Sequence, residues 1–73
     1  MKNKINILYT CDNAYLSLTS ISIASVIYNN SNSYITFYIA TESEDSDNYR
    51  KLVDFYKDNK NIEFKYFVWY WWN

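Results

Sequence analysis

The stretch of residues 5–15, INILYTCDNAY, constrains the fold more than any other part of this chain. It opens with an apolar, β-branched run, broken only by Asn6, that is typical of a strand buried on both faces of a parallel sheet. A polar turn follows at once, and Asp12 or Asn13 can cap a helix that begins near Ala14. In open α/β sheets, ligands bind in the crevice where the carboxyl end of a strand meets the start of a helix.

The chain contains no glycine. Phosphate-binding loops of the G-x-G-x-x-G and Walker types need glycine for close approach of the backbone, so both are excluded. A nucleotide site in this turn would use side chains instead. Asp12 can accept a hydrogen bond from a base N–H or a ribose hydroxyl, and Tyr15 can lay its ring against a base. The alternative is a purely structural role, with a helix cap at Asp12 and a core tyrosine at Tyr15.

The rest of the chain alternates helix and strand patterns. Apolar residues at helical spacing predict a helix over residues 14–28, and an asparagine in the left-handed conformation would end it in the absence of glycine. A second apolar strand is predicted over residues 34–40, and a second helix follows it and ends near Asn59. Alternation over residues 62–68 predicts a third strand with one wetter face. The apolar stripe of the second helix consists of Tyr49, Leu52, Val53 and Tyr56.

This order of elements predicts an α/β fold. Right-handed crossovers would place three parallel strands in the order 3-2-1, with helices on the faces of the sheet. The result is a βαβαβ, three-stranded parallel half of a Rossmann-like nucleotide-binding domain. The first strand is then left as an exposed edge, which invites pairing with another chain.

Composition narrows the classes of partner and chemistry. The net charge is −1 and the charges are scattered, so we expect no nucleic-acid partner. Serines and threonines interrupt the first helix, so we expect no membrane span, and the first apolar run is too short for a signal peptide. The single cysteine, Cys11, cannot form an internal disulfide, and with no histidine in the chain it lacks the usual base of a catalytic thiol. We therefore predict a cytoplasmic protein.

The stretch INILYTCDNAY, the Ser-rich apolar helix SLTSISIASVIYNN, the strand YITFYIAT and an acidic helix start together resemble the opening of family 8 glycosyltransferases. These are retaining, nucleotide-sugar-dependent enzymes that include glycogenin and bacterial lipopolysaccharide galactosyl- and glucosyltransferases. The resemblance covers residues 4–68. It implies the first part of a GT-A type domain, with a UDP-sugar donor and, in full-length members, Mn²⁺ that bridges the diphosphate.

The resemblance also implies a site for the UDP moiety. Its candidate residues are Tyr9, Thr10, Cys11, Asp12, Asn13 and Tyr15. The first three would line the uracil by backbone and side-chain contacts, Asp12 would contact the base and Tyr15 would stack on it. Asn13 and Ala14 would complete the loop. Some bacterial members have asparagine at the position of Ala14, so a hydrogen bond from that position is not carried over.

Residues 45–47, Asp-Ser-Asp, match the D-x-D pattern with which such enzymes hold a divalent metal. We reject them as a metal site, because the family's metal-binding D-x-D follows a later strand. Acids at this point suit the positive end of a helix dipole instead. No metal ligand and no catalytic residue is therefore assigned in this chain.

Two functions remain open. The first is the N-terminal, UDP-binding part of a retaining hexosyltransferase, formed by residues 1–68 and inactive alone because it lacks the metal ligands and an acceptor site. In that case residues 69–73, WYWWN, are the end of a truncated or frameshifted product, and a missing C-terminal part would complete the fold. The alternative is a non-catalytic α/β interaction module that self-associates through its exposed strand edge and its Trp-rich tail.

Overall fold

The structure is a computed structural model and describes residues 3–12, 14–42 and 46–68. Three strands alternate with two helices along the chain. In chain order the elements are β1 (Lys4–Thr10), α1 (Leu16–Asn29), β2 (Tyr34–Thr41), α2 (Asp47–Phe55) and β3 (Ile62–Val68). The strands form one parallel sheet in the order β1-β2-β3. The predicted α/β class, the parallel sheet and the strand order are confirmed.

The core lies between the sheet and the helices and is centred on β2. The register aligns Ile7, Phe37 and Phe64 across the three strands. Phe37 is fully buried, and its ring stacks on that of Phe64 with the centroids 5.4 Å apart. Leu16 and Ile23 of α1 also belong to this core cluster. Burial of these apolar side chains is the main favourable contribution to folding.

Both helices pack on the same face of the sheet. The sequence analysis predicted helices on both faces and a first strand buried on both faces, and both predictions are wrong. Along β1 the exposure alternates, so that Ile5 and Ile7 are half-buried beneath the helices while Asn6 and Leu8 are exposed. Leu8 is 64% exposed. The first strand is therefore not covered on both faces in the described part of the chain, and the helices do not flank the sheet. Two right-handed crossovers that advance in the same direction place their helices on the same side.

Helix α1 begins at Leu16, two residues later than predicted, because a turn precedes it. The N–H of Tyr15 donates to the main-chain oxygen of Asp12 at 3.2 Å and to its Oδ1 at 2.9 Å. Asp12 thus caps this turn, and Tyr15, which occupies the N-cap position, makes no side-chain cap hydrogen bond.

The end of α1 also differs from the prediction. No described residue has a positive φ, and the C-cap residue Asn30 has φ −134°. Its side-chain Nδ2 donates to the carbonyl oxygen of Val26 at 2.8 Å, and that of Asn29 donates to the carbonyl oxygen of Ser25 at 2.9 Å. Val26 is one of the last four residues of α1, whose carbonyl groups a helix end leaves without partners, so the side-chain amide of Asn30 satisfies one of them without a left-handed residue.

Helix α2 begins with a side-chain cap. The Oγ of Ser46 accepts a hydrogen bond from the N–H of Tyr49 at 3.0 Å. Asp47 lies in the first turn and forms an ion pair with Arg50, so the interpretation of Asp47 as a helix-start acid is confirmed, whereas the cap at Ser46 was not predicted. Asp45 lies outside the described residues. The helix ends at Phe55, earlier than predicted, and the chain then passes through turns.

The sheet face away from the helices carries the other set of alternating side chains. Tyr38 and Phe67 stack there with ring centroids 6.0 Å apart. We call this surface the open face, and its side chains belong to Lys4, Asn6, Leu8, Thr10, Thr36, Tyr38, Ala40, Glu63, Lys65 and Phe67. Within residues 3–12, 14–42 and 46–68, no helix covers it, and none of the helices is long and apolar enough to cross a membrane. The predicted tail, residues 69–73, lies outside the described part.

Candidate functional site

The candidate site begins where β1 ends. The N–H of Cys11 donates to the carbonyl oxygen of Ala40 at 3.1 Å, which continues the ladder with β2 by one residue. The chain leaves the sheet at Asp12, beside the carboxyl end of the central strand. This is the edge of a parallel sheet at which α/β proteins place their ligands.

Asp12 is held by the turn that it caps. Its Oδ1 accepts from the N–H of Tyr15, which fixes the orientation of the half-buried carboxylate. Its Oδ2 has no hydrogen-bond partner among the described residues. A carboxylate oxygen can accept about two hydrogen bonds, so Asp12 can still accept from a base N–H or a ribose hydroxyl.

Tyr15 lies directly beside this carboxylate and is 60% exposed. The structural alternative of a core tyrosine is therefore wrong for this position. The main-chain oxygen of Tyr15 accepts from the N–H groups of Leu18 and Thr19, at 3.0 and 2.9 Å, which anchors its backbone to the first turn of α1. The structure thus brings together an acceptor and an exposed aromatic ring, and the ring can stack on a planar ligand.

The three residues before Asp12 point in different directions. The ring of Tyr9 stacks on Phe37 with the centroids 6.3 Å apart, and Cys11 packs against the core, so both side chains face the helices. Thr10 is exposed on the open face. In a parallel ladder the peptide groups of alternate residues point to the same neighbour. Since the N–H of Cys11 points to β2, the peptide groups of Thr10 point to the outer edge and are available to a ligand.

The remaining candidates lie in the loop. Asn13 is outside the described residues. Ala14 is exposed, and its carbonyl oxygen accepts from the Oγ of Ser17 at 3.4 Å.

Ser22 is a residue that the sequence analysis missed. Its Oγ lies 2.8 Å from the hydroxyl oxygen of Tyr9, so a hydrogen bond links the end of β1 to the middle of α1. This contact positions the strand end relative to the helix. No sequence pattern indicates it, because the two residues lie in different elements and are 13 positions apart.

The metal that the resemblance implies does not fit this part of the chain. No group of three side chains that could hold a metal ion exists among residues 3–12, 14–42 and 46–68. Asp47 forms its ion pair with Arg50 instead. We therefore assign no step to a metal here.

Comparison with known proteins gives one family match. The sequence model of glycosyl transferase family 8 matches residues 6–69, which include all three strands except the first two residues of β1. No curated protein and no solved structure gives a significant match. The family match covers most of the 73 residues, with the turn at Asp12 and Tyr15 inside it. The chain belongs to glycosyltransferase family 8.

Proposed function

We propose that this chain is the N-terminal, UDP-binding part of a retaining hexosyltransferase that uses a UDP-sugar donor. The observation that carries the proposal is the pair formed by Asp12 and Tyr15 at the carboxyl end of β1. Membership of the family makes a nucleotide sugar the expected substrate class. The retaining outcome and the UDP moiety follow from the family resemblance.

Each member of the pair has a distinct role in the proposal. The Oδ2 of Asp12 accepts from uridine while its Oδ1 remains bound to the N–H of Tyr15. The ring of Tyr15 stacks on the uracil, and such stacking contributes about 1–3 kcal/mol per base. The outward peptide groups of Thr10 supply further polar contacts. Because the rings of Tyr9 and Phe37 stack in the core, Tyr9 supports the strand end and leaves contact with the base to its neighbours.

Titration of the ¹⁵N-labelled chain with UDP tests this binding site. We expect amide shifts centred on Asp12 and Tyr15. Tyr15→Ala should weaken UDP binding about 5- to 150-fold, as expected from the loss of one stacking contact, whereas Tyr15→Phe should change it little. Tyr28→Ala is the matched control, because Tyr28 is exposed on the same helix near its other end. Unchanged UDP affinity in Tyr15→Ala would show that the stacking role is wrong.

Asp12 offers a sharper pair of variants. Asp12→Asn keeps an oxygen that can accept from the N–H of Tyr15, but it replaces the second acceptor with a donor. Asp12→Ala removes both acceptors. We expect both variants to weaken UDP binding, and only Asp12→Ala to lower the thermal midpoint measurably. Equal UDP affinity in Asp12→Asn and the parent chain would rule out Oδ2 as a ligand.

We also propose that the chain alone transfers no hexose, since the described residues provide no group of metal ligands. The assay is UDP release from UDP-glucose and UDP-galactose with Mn²⁺ present. We expect no release above that of the Asp12→Ala variant. Release that this variant abolishes would contradict the proposed inactivity and place the full reaction in this chain.

The second candidate function, a self-associating interaction module, is favoured by the free edge of β1. Within the described residues β1 pairs with β2 alone. The alternation that directs the N–H of Cys11 to β2 directs those of Lys4, Asn6, Leu8 and Thr10 outward. Unpaired edge groups of this kind are templates for pairing with another strand.

Hydrogen exchange distinguishes this candidate from the first. In the monomer we expect slow exchange at the N–H groups of Ile5 and Ile7 and fast exchange at those of Asn6 and Leu8. If copies pair through this edge, Asn6 and Leu8 become protected as the protein concentration rises, while Ile5 and Ile7 do not change. Concentration-dependent association that leaves Asn6 and Leu8 exchanging fast would exclude the edge and direct attention to residues 69–73.

A further inference from the structure

A cleft of about 530 Å³ lies between α1 and α2. Its lining consists of residues of the two helices and of Tyr56, which directly follows α2. Because no strand residue lines it, the cleft opens on the outer side of the helical layer. Leu16 and Leu52 are buried and provide an apolar floor. Ile21 and Phe55 line the cleft as well and are 67% and 78% exposed. Its volume lies within the range of about 300–1,000 Å³ that small-molecule sites occupy.

The cleft has one charged side chain, Lys51. The basic residues nearest to it in the sequence are paired. Arg50 forms an ion pair with Asp47, and the Nζ of Lys57 lies 3.4 Å from the Oδ1 of Asp54. Lys51 forms no ion pair with any described residue. Lys51 is therefore an unpaired positive charge in the lining of the cleft, which favours an anion.

Two hydroxyl groups of the cleft are already engaged within α1. The hydroxyl of Ser17 donates to the carbonyl oxygen of Ala14 at 3.4 Å, and that of Ser20 donates to the carbonyl oxygen of Ser17 at 2.6 Å. Neither hydroxyl hydrogen is free to bind an anion. Lys51 is the one charged side chain in the lining, beside the polar side chains of Asn48 and Tyr56, whereas the rest of an occupant would meet apolar floor and walls.

We propose that this cleft binds an aliphatic monocarboxylate of medium chain length. Its carboxylate lies at Lys51, and its hydrocarbon chain lies over Leu16 and Leu52, between Ile21 and Phe55. The single positive charge matches a single negative charge. Burial of the chain against the floor supplies most of the affinity, at a scale set by the apolar area removed from water. None of the residues of the proposed UDP site lines this cleft.

Titration of the full ¹⁵N-labelled chain with decanoate, below its micellar concentration, tests the proposal. We expect amide shifts centred on Ala24, Leu52 and Phe55, with decanoate binding more tightly than decanol and decanol more tightly than decyltrimethylammonium. Lys51→Gln should weaken decanoate binding about 2- to 5-fold and leave decanol binding unchanged. Lys65→Gln is the matched control, because Lys65 is exposed on the open face, on the opposite side of the sheet.

A second variant tests the apolar part. Ala24 is exposed and lines the cleft, so Ala24→Leu fills the cleft while keeping a strong helix-forming residue. We expect it to abolish binding of both decanoate and decanol with an unchanged circular dichroism spectrum. The proposal is overturned if decanol or the ammonium compound binds as tightly as decanoate, or if Lys65→Gln weakens binding as much as Lys51→Gln. It is likewise overturned if the shifts centre on the open face, or if self-association occludes the cleft without ligand.

Discussion

At the scale of single residues, Tyr49 couples the stability of the fold to pH. Its ring centroid lies 4.3 Å from that of Tyr66 and 6.4 Å from that of Phe64. Burial against these rings raises the pKa of the Tyr49 phenol above its ordinary value of 10.0, and the nearby Tyr66 adds to the increase. The folded state therefore favours the neutral phenol more than the unfolded state does.

The sign of the pH dependence follows from linkage. Below about pH 10 the phenol is neutral in both states, and its contribution to stability is fully present. As the pH rises from about 10 through the raised folded pKa, the unfolded state ionises first, so stability falls. We expect Tyr49→Phe to make this alkaline loss shallower. The measurement is the urea midpoint at several pH values between 8 and 11.5.

The control for this prediction is Tyr28→Phe. Tyr28 is 82% exposed, so the substitution removes a phenol without changing a buried environment. We expect the parent's alkaline decline to persist in this variant. Identical curves for Tyr49→Phe and the parent would refute the role of Tyr49.

At the scale of elements, side-chain hydrogen bonds cap the C-terminus of α1 and the N-terminus of α2. The amides of Asn29 and Asn30 cap the last turn of α1, and the hydroxyl of Ser46 caps the first turn of α2. At the C-terminus of α1, in a chain without glycine, side-chain hydrogen bonds replace the left-handed residue that commonly ends a helix. The bonds of Asn30 and Ser46 each satisfy a backbone group that the helix itself leaves without a partner.

Loss of the cap at Ser46 should destabilise the protein by about 0.5–2 kcal/mol, the usual cost of replacing a capping serine with alanine. The variant is Ser46→Ala, and the measurement is the free energy of unfolding in urea. Ser31→Ala, in the exposed loop after α1, is the control and should change stability by less than about 0.5 kcal/mol. A similar loss in both variants would mean that the cap contributes nothing specific.

Element boundaries were predictable where the local pattern is strong. Residues 62–68 alternate without a break, and β3 spans Ile62–Val68 as predicted. The start of α1 was predicted two residues too early, because Asp12 caps a turn and not the helix itself. A short polar side chain followed by helix-compatible residues can cap either a turn or a helix. Contacts beyond the turn decide between the two structures.

At the scale of the whole molecule, the ring of Phe37 lies at the centre of the core. Phe37 is fully buried between Tyr9 and Phe64 on the central strand. A domain of this length has a total stability of roughly 4–11 kcal/mol, and truncation of a buried phenylalanine to alanine costs about 3–5 kcal/mol.

We therefore expect Phe37→Ala to lose a large share of the stability of the fold and to have a much lower thermal midpoint. The measurement is the near-ultraviolet circular dichroism together with the dispersion of amide resonances. Phe55→Ala is the control, since Phe55 is 78% exposed, and it should remain folded. A folded Phe37→Ala with an unchanged thermal midpoint would show that the core has been placed on the wrong residues.

The sequence by itself determined the kinds of element, their order and the parallel sheet. Alternation and helical spacing are local properties, and the right-handed crossover rule turns their order into the arrangement β1-β2-β3. It also marked Asp12 and Tyr15 as a pair, because three positions across a turn bring two residues together.

Tertiary structure decided which side of the sheet is covered. Ile5, Ile7 and Leu8 are alike in the sequence, yet the first two are half-buried and Leu8 is 64% exposed. The difference arises because both crossovers advance in the same direction and place α1 and α2 on one face. Tertiary structure also decided that Tyr15 is exposed and that the hydroxyl of Tyr9 forms a hydrogen bond with that of Ser22. Both outcomes depend on where α1 packs, and contacts between residues far apart along the chain determine that packing.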